Sequence, residues 1–354
     1  MKAVSLDIGF GMVKAYTRNG EEEVKRIFPS ITAPASAIGN KTGDRNGRGA
    51  ESYEVITVDN ETYYVGDKVT VEAMETRGTA SNSQDSKRVF SKEYKVLIAA
   101  SLVALGINDE EVGLALELPL SDYKNFNGEL AKAYKDKKII VKAGVSEHTY
   151  HIKDVVVTGQ GIAALYNTVK YEDLENGLYG IIEIGSKTTD YARVEDMEYA
   201  ETATNSVPLA MSNVIEALKS AVDERGKEKL NQTMNYPRRR LEKLITGYVT
   251  GKKNRLDIQL GKGEPEDFTE EFKKIVENVA TSIYNSVINT LAGIQYFKGL
   301  VLAGGGALVM RKVLEEALGN QVDIMLPDDP QFANVIGAFD MYMDILDAEG
   351  VING

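Results

Sequence analysis

The chain has 354 residues, 43% of them hydrophobic and 27% charged, with no Cys, two His and a formal net charge of −12. Such length and apolar share describe a globular protein with room for two domains. The missing Cys excludes disulfide frameworks, thiolate catalysis and Cys-based zinc sites and fits a reducing cytoplasm, while the acidic balance argues against non-specific DNA binding by the whole surface.

No apolar run approaches the ~20 residues that cross a bilayer, and no direct membrane contact is expected. The chain opens directly into an apolar strand at Ala3–Leu6, which leaves no room for a signal peptide. Residues 1–18 read as a first hairpin, with Glu21-Glu22-Glu23 as its solvated turn. Arg26–Ser36, with Pro29 and Pro34, reads as extended chain, and the Gly- and charge-rich stretch Asn40–Ala50 as a mobile loop. Glu54–Gly66 alternates as a hairpin turning at Asp59-Asn60. Lys92–Leu105 has helical spacing, with Tyr94, Leu97, Ile98, Ser101 and Leu102 on one face. Val112–Leu118 is nearly all apolar, as in strands covered on both faces.

Beyond Pro119, Tyr123–Tyr134 reads as a helix, Lys138–Ile152 as a strand pair, and Val155–Thr158 as another buried strand. Gly159-Gln160-Gly161 follows, then a helix over Ile162–Lys170. Tyr179–Val194 reads as a second hairpin. Pro208–Asp223 is a helix, after which Arg225–Tyr236 is polar and lacks periodicity. Pro237 opens a basic helix to about Tyr248, Pro being tolerated in a first turn. Phe268–Phe297 is a long amphipathic helix, Gly299–Ala303 a buried strand, Leu308–Leu318 a helix, and Phe332–Leu346 the last helix. Strands alternate with helices, so the class is α/β with short antiparallel additions.

Five segments carry chemistry. Asp7-Ile8-Gly9-Phe10-Gly11-Met12-Val13-Lys14 joins a strand-end acid, two Gly whose turn lets amides face an anion, and a Lys. Asp7 suits a hydrated Mg²⁺ rather than phosphate itself. Ile182-Glu183-Ile184-Gly185 matches Leu6-Asp7-Ile8-Gly9 position by position, which suggests two copies of one unit. Ser186, Lys187, Thr188 and Thr189 add donors and charge there, although an ordinary turn with a solvated Lys would look the same. Gln160 can orient a water, or simply belong to a helix cap. Gly304-Gly305-Gly306 permits close approach of a flat or anionic group at a helix start, without the G-x-G-x-x-G spacing of a Rossmann turn. In Asp329–Ala338, small residues allow tight packing of the last helix. His148 and His151 lack the third ligand that a metal site requires. The basic run Arg238–Arg240 could meet filament, nucleotide or DNA, but a solvated helix face explains it more simply.

Taken in order, these segments resemble the actin-like ATPase superfamily, shared with sugar kinases and DnaK-type chaperones. Asp7–Lys14 looks like its first phosphate loop, and Gln160 like the water-positioning residue of the first connecting motif. Glu183–Asp190 looks like the second phosphate loop, Gly304–Gly306 like the adenosine motif, and Asn334–Gly337 like the second connecting motif. The DPQFANVIGAF segment and the compact length are most similar to ParM/StbA plasmid-segregation actins and their archaeal relatives.

The resemblance implies two duplicated RNase H-like lobes, each with an inserted smaller subdomain, and a nucleotide in the central cleft. Lobe I would span 1–170 with an insert at about 27–95, and lobe II 171–332 with an insert at about 220–265. Residues 333–354 would pack back on lobe I. It implies ATP or GTP with Mg²⁺, and Asp7, Gln160 and Glu183 as the catalytic set. Gly9, Phe10, Gly11, Met12, Lys14, Gly185, Ser186, Lys187 and Thr188 would bind phosphate. Gly304, Gly305, Gly306, Glu242 and Asn334 would bind adenosine, and Asp7 and Glu183 would hold the metal through water. Glu183 stands where Asp is usual, and its extra methylene alters the metal and water geometry. The implied function is an ATPase forming head-to-tail filaments, with a DNA-bound adaptor as partner in plasmid segregation. A sugar-type kinase lacks a convincing substrate-facing acid here. A chaperone needs a peptide-binding extension, and a cell-shape actin usually carries a membrane-binding amphipathic segment.

Overall fold

The computed structural model describes residues 1–38, 51–69, 86–108, 110–196 and 198–350, so the Asn40–Ala50 stretch lies outside the described residues. The chain divides into two units, one of residues 1–171 with 332–354 and one of residues 172–331. The longer helices are α1 Lys92–Ala104, α2 Leu120–Tyr134, α3 Ile162–Thr168, α4 Met211–Leu230, α5 Arg238–Val249, α6 Thr269–Val287, α7 Ala307–Leu318 and α8 Ala333–Ala348.

The first unit is built on β1 Lys2–Ile8, β2 Met12–Asn19, β3 Glu22–Pro29, β4 Thr32–Pro34, β5 Val55–Val58, β6 Glu61–Val65, β7 Glu111–Leu118, β8 Lys137–Ala143 and β9 Ser146–Gly159. They form one sheet in the order β3-β2-β1-β7-β9-β8-β5-β6-β4. Its centre, β1-β7-β9, is parallel, which explains the unbroken apolar runs: both faces are covered. Val4, Leu6 and Ile8 pack in a cluster with Leu97, Ile98 and Leu102 of α1. On the opposite face Ala115 packs with Ala163 of α3 and Ala338 and Tyr342 of α8. The approach there is close: a Cβ at Gly337 would fall 1.7 Å from the Ala163 carbonyl oxygen, and one at Gly113 2.0 Å from the Tyr342 hydroxyl.

The second unit holds β10 Leu178–Ile184, β11 Thr189–Glu195, β12 Glu198–Val207, β13 Asp257–Ile258, β14 Glu266–Asp267, β15 Gly299–Ala303 and β16 Ile324–Met325. The main sheet runs β12-β11-β10-β15-β16. Ile182, Ile184, Leu300 and Leu302 join one cluster with Val214 and Leu218 of α4, Ile283 of α6 and Leu314 of α7.

Several sequence expectations are corrected. Glu22 and Glu23 are not a turn but the start of β3, which pairs with β2 from Asn19↔Glu22 to Met12↔Pro29. The turn is instead at Gly20, in the left-handed region at φ 61°. Val155–Thr158 is not a separate strand; it is the second half of β9, whose first half pairs with β8 and whose later residues pair with β7. The helix α2 starts at Leu120, three residues early, directly after Pro119. The helix α4 runs on to Leu230, because Lys229 and Arg225 meet Glu266 and Glu271 instead of an apolar surface. Conversely α6 stops at Val287. Leu291 and Ile294 stay buried in the turns that follow, so the apolar period outlasts the helix. The face expected on α1 is too narrow, since Val96, Ala99, Ala100 and Val103 are buried as well. The strand β12 carries no clear alternation in sequence.

Candidate functional site

The turn between β1 and β2 is closed by Gly9 N–H donating to the Met12 carbonyl at 3.1 Å. The turn between β10 and β11 is closed in the same way by Gly185 N–H donating to the Thr188 carbonyl at 2.9 Å. In register, Asp7 lies opposite Lys14 and Glu183 opposite Asp190. A Cβ on Gly9 would meet Met12 O at 3.0 Å, and one on Gly185 would meet Thr188 O at 3.1 Å, so both positions favour glycine for the same reason. The sequence repeat is thus a repeat in three dimensions. The N–H groups of Gly11, Ser186 and Thr188 have no acceptor among the described residues. In the second turn two such donors, Ser186 and Thr188, stand beside one Gly, the arrangement of an anion-accepting concavity.

The acids behind the two turns are held differently. Asp7 is 2% exposed; its Oδ2 accepts from Lys14 Nζ and its Oδ1 from Gln160 Nε2, both at 2.7 Å. Because the carboxylate only accepts, the Gln160 amide must present its NH₂, which leaves Oε1 to accept a hydrogen bond from a water. Gln160 itself follows β9 and donates its N–H to Leu118 O at 2.8 Å. The next residue, Gly161, has φ 84°, the left-handed region where glycine carries no penalty, and starts α3. In the second unit Glu183 (4% exposed) and Asp190 (1%) stand directly opposite each other. Like charges so placed repel each other. Thr188 Oγ1 donates to Asp190 Oδ2 at 3.2 Å and ties the turn to that acid.

Residues 5–193, more than half of the chain, match the actin-like protein N-terminal domain. The chain belongs to the actin-like protein family. Residues 181–316 of this actin-like protein also match the C-terminal domain of the archaeal, MreB-like actin homologue. An archaeal actin homologue of Thermoplasma acidophilum is 24% identical over 358 residues, covering 95% of this chain and 97% of that protein. The crystal structure of the archaeal actin homologue Ta0583 superposes with a TM-score of 0.76 at 20% identity, covering 97% of this chain and all of that one. Its complex with ADP gives 0.74 at 21% identity, with the same coverage. A ParM from a 15-stranded Clostridium botulinum filament gives 0.70 at 20% identity, covering 97% of this chain and 99% of that one. The fold of this actin-like protein is therefore the actin-like ATPase fold.

The remaining expected residues are spread over both units. Phe10 and Met12 lie in and after the first turn, and Lys187 at the tip of the second. Gly304 and Gly306 pack on the Glu183 strand: Gly306 N–H donates to Ile184 O at 2.9 Å. A Cβ on Gly304, at φ 84°, would stand 2.4 Å from Ile184 O and 2.6 Å from Glu183 Oε1. The glycine motif and the second turn are thus one structure, with Gly305 less confined. Asn334 lies in the first unit, 3% exposed, and its Oδ1 accepts from Gly161 N–H at 2.9 Å, steadying the turn that carries Gln160. Glu242 lies on α5, where its carboxylate accepts from Arg238 Nε at 3.0 Å.

Sequence reasoning missed the support behind the second turn. Met211 and Ser212 at the start of α4 donate to Gly185 O at 3.3 Å and Ser186 O at 2.8 Å. Carbonyl and N–H of one peptide point in opposite directions, so these bonds turn the Ser186 N–H away from α4. Nothing in Ala210–Ser212 announces this in sequence, because the donors are backbone groups.

Proposed function

We propose that this actin-like protein binds and hydrolyses ATP and assembles head-to-tail with copies of itself. The doubled turn carries the reading: two Gly-closed hairpin tips with available amides, each beside buried acids. The ADP complex of the archaeal homologue supports an adenine nucleotide, and the ParM filament supports self-association. In this reading Gly9–Met12 and Gly185–Thr188 bind phosphate, and Lys14 and Lys187 add positive charge. Gln160, oriented by Asp7, places the attacking water through Oε1. Such chemistry works by placement and charge stabilisation more than by covalent steps.

Mg²⁺ fits the acids available. Among the described residues no three His, Asp or Glu side chains cluster as a protein-only metal site. Mg²⁺ needs none, since it takes water and phosphate oxygens with one or two carboxylates. Asp7 and Glu183 would hold it through water, with Asp190 beside Glu183, and it would neutralise charge developing on the phosphates. A head-to-tail contact that does not close propagates as a filament. Segregation of DNA in the cytoplasm would then need a basic adaptor, because the chain carries a net charge of −12. The test is phosphate release together with light scattering, in ATP and in ADP, followed by electron microscopy. Turnover that rises with protein concentration and scattering confined to ATP support the reading. Turnover that requires an added sugar would favour a kinase, and no nucleotide binding at all would end the proposal.

A further inference from the structure

Arg88 is 7% exposed, yet the sequence marks it in no way. It sits in the 3₁₀ segment Ser86–Phe90, just ahead of α1. That segment is anchored: Ser91 N–H donates to Arg88 O at 2.9 Å, and the Ser91 hydroxyl caps α1 by accepting from Tyr94 N–H at 3.2 Å. The guanidinium donates from Nη2 to Ile8 O at 2.5 Å, stacks 4.3 Å from the Phe10 ring centroid and lies 5.8 Å from that of Tyr94. A guanidinium cannot shed its proton to escape burial, so it stays charged at a cost. Burial pulls its pKa down, while Tyr94, Asp7 and Asp122 pull it up.

The contact falls on the first residue pair of the phosphate turn. Ile8 O and Gly9 N–H belong to one planar peptide. The carbonyl is held by Arg88, and the N–H by Met12 O at 3.1 Å. The aromatic stack fixes the following residue, Phe10, whose carbonyl shares a peptide plane with the Gly11 N–H. The second unit gives an independent parallel. Ile184 occupies the position of Ile8 in the repeat, and its carbonyl is also held by a donor from outside the hairpin, the Gly306 N–H at 2.9 Å. The same carbonyl is pinned in both copies, by a backbone amide in one and by a buried cation in the other.

We propose that Arg88 is a positioning residue for the first phosphate turn, holding the Ile8–Gly11 backbone so that the Gly11 N–H faces a polyphosphate. This rests on the nucleotide reading above. It predicts that Arg88 matters for the phosphate part of the ligand and not for the nucleoside. The experiment measures ATP and adenosine affinity, by competition against a fluorescent ATP analogue, for the parent, R88Q and R88K, with circular dichroism to check folding.

Loss of one charge-assisted bond should weaken ATP binding by R88Q about 10- to 100-fold. Adenosine affinity should stay within about twofold, and R88K, which keeps charge but neither plane nor fork, should fall between. If R88Q fails to fold, R88K carries the same comparison. Weaker ATP binding with unchanged adenosine binding supports the role. An unchanged ATP affinity, or equal losses for ATP and adenosine, overturns it. A parent protein that binds neither overturns the nucleotide reading, and this proposal with it.

Discussion

Gln160 and Asp7, 153 residues apart in sequence, share a hydrogen bond of 2.7 Å in which the buried amide donates to the buried carboxylate. One atom of the amide is thereby fixed, and the other is aimed. The bond exists because β1, β7 and β9 are parallel neighbours, which brings the residues that follow β9 to the same end of the sheet as the end of β1.

Removing that aim should cost turnover more than binding. For Gln160→Ala, kcat for ATP hydrolysis should drop about 100-fold, the scale of a misplaced reacting group. Nucleotide affinity should change little, and Asp7→Ala should abolish turnover. Steady-state phosphate release on both variants checks this. An Asp7→Ala protein as fast as the parent would remove Asp7 from the mechanism.

The three glycines of the 304–306 turn should not respond alike. An Ala at 304 meets a left-handed φ of 84° and atoms at 2.4 and 2.6 Å, whereas at 305 the nearest atom is Gln331 Nε2 at 3.7 Å. Gly304→Ala should cost about 3 kcal/mol from strain and crowding together, and it should displace the Glu183 carboxylate. Gly305→Ala should stay within about 1 kcal/mol, as expected where nothing is crowded. Urea denaturation of the two variants side by side decides the matter, and equal effects would contradict the packing described for Gly304.

Gly337 answers to a different constraint. Its helix touches α3 at the backbone, with 1.7 Å between the position of an added Cβ and Ala163 O. Backbone cannot swing aside as a long side chain can, so Gly337→Ala should destabilise by about 3 kcal/mol, at the upper end of ordinary overpacking. It should also loosen the Asn334–Gly161 bond one turn earlier on α8 and so reduce ATP turnover. A denaturation midpoint equal to that of the parent would mean that the two helices have more room.

Asp340 gives a pH signature. Burial raises its pKa, and this exceeds the lowering by Arg18, whose Nη2 donates to it at 3.0 Å. With the folded value above the unfolded one, the folded state binds this proton more tightly. The carboxyl's contribution to stability is then present below the ordinary aspartate value of ~3.9 and is lost as pH rises through the folded value. Asp340→Asn should remove that decline and lose little stability at pH 7. Thermal melts from pH 4 to pH 7 measure it. A large loss in the variant confined to pH 7 would show that the Arg18 pair outweighs the burial.

Local pattern determined a good deal of this protein. Leu6–Gly9 and Ile182–Gly185 announced the same hairpin twice because glycine, a strand-end acid and apolar alternation are short-range signals. Asp59-Asn60 announced its turn, and both residues indeed have positive φ. What failed was set by neighbours distant in sequence. Glu22 and Glu23 read as a solvated turn until β2 gave them a partner strand, and α4 outran its apolar period because Glu266 and Glu271 receive its basic end. The candidate site divides along the same line. Asp7, Gly9, Gln160 and Glu183 stood out as candidates from residue type and spacing. The hold of Arg88 on Ile8, of Asn334 on Gly161 and of Met211 on Gly185 was decided only by the tertiary structure, since bonds to backbone groups across long stretches of chain leave no pattern in the sequence.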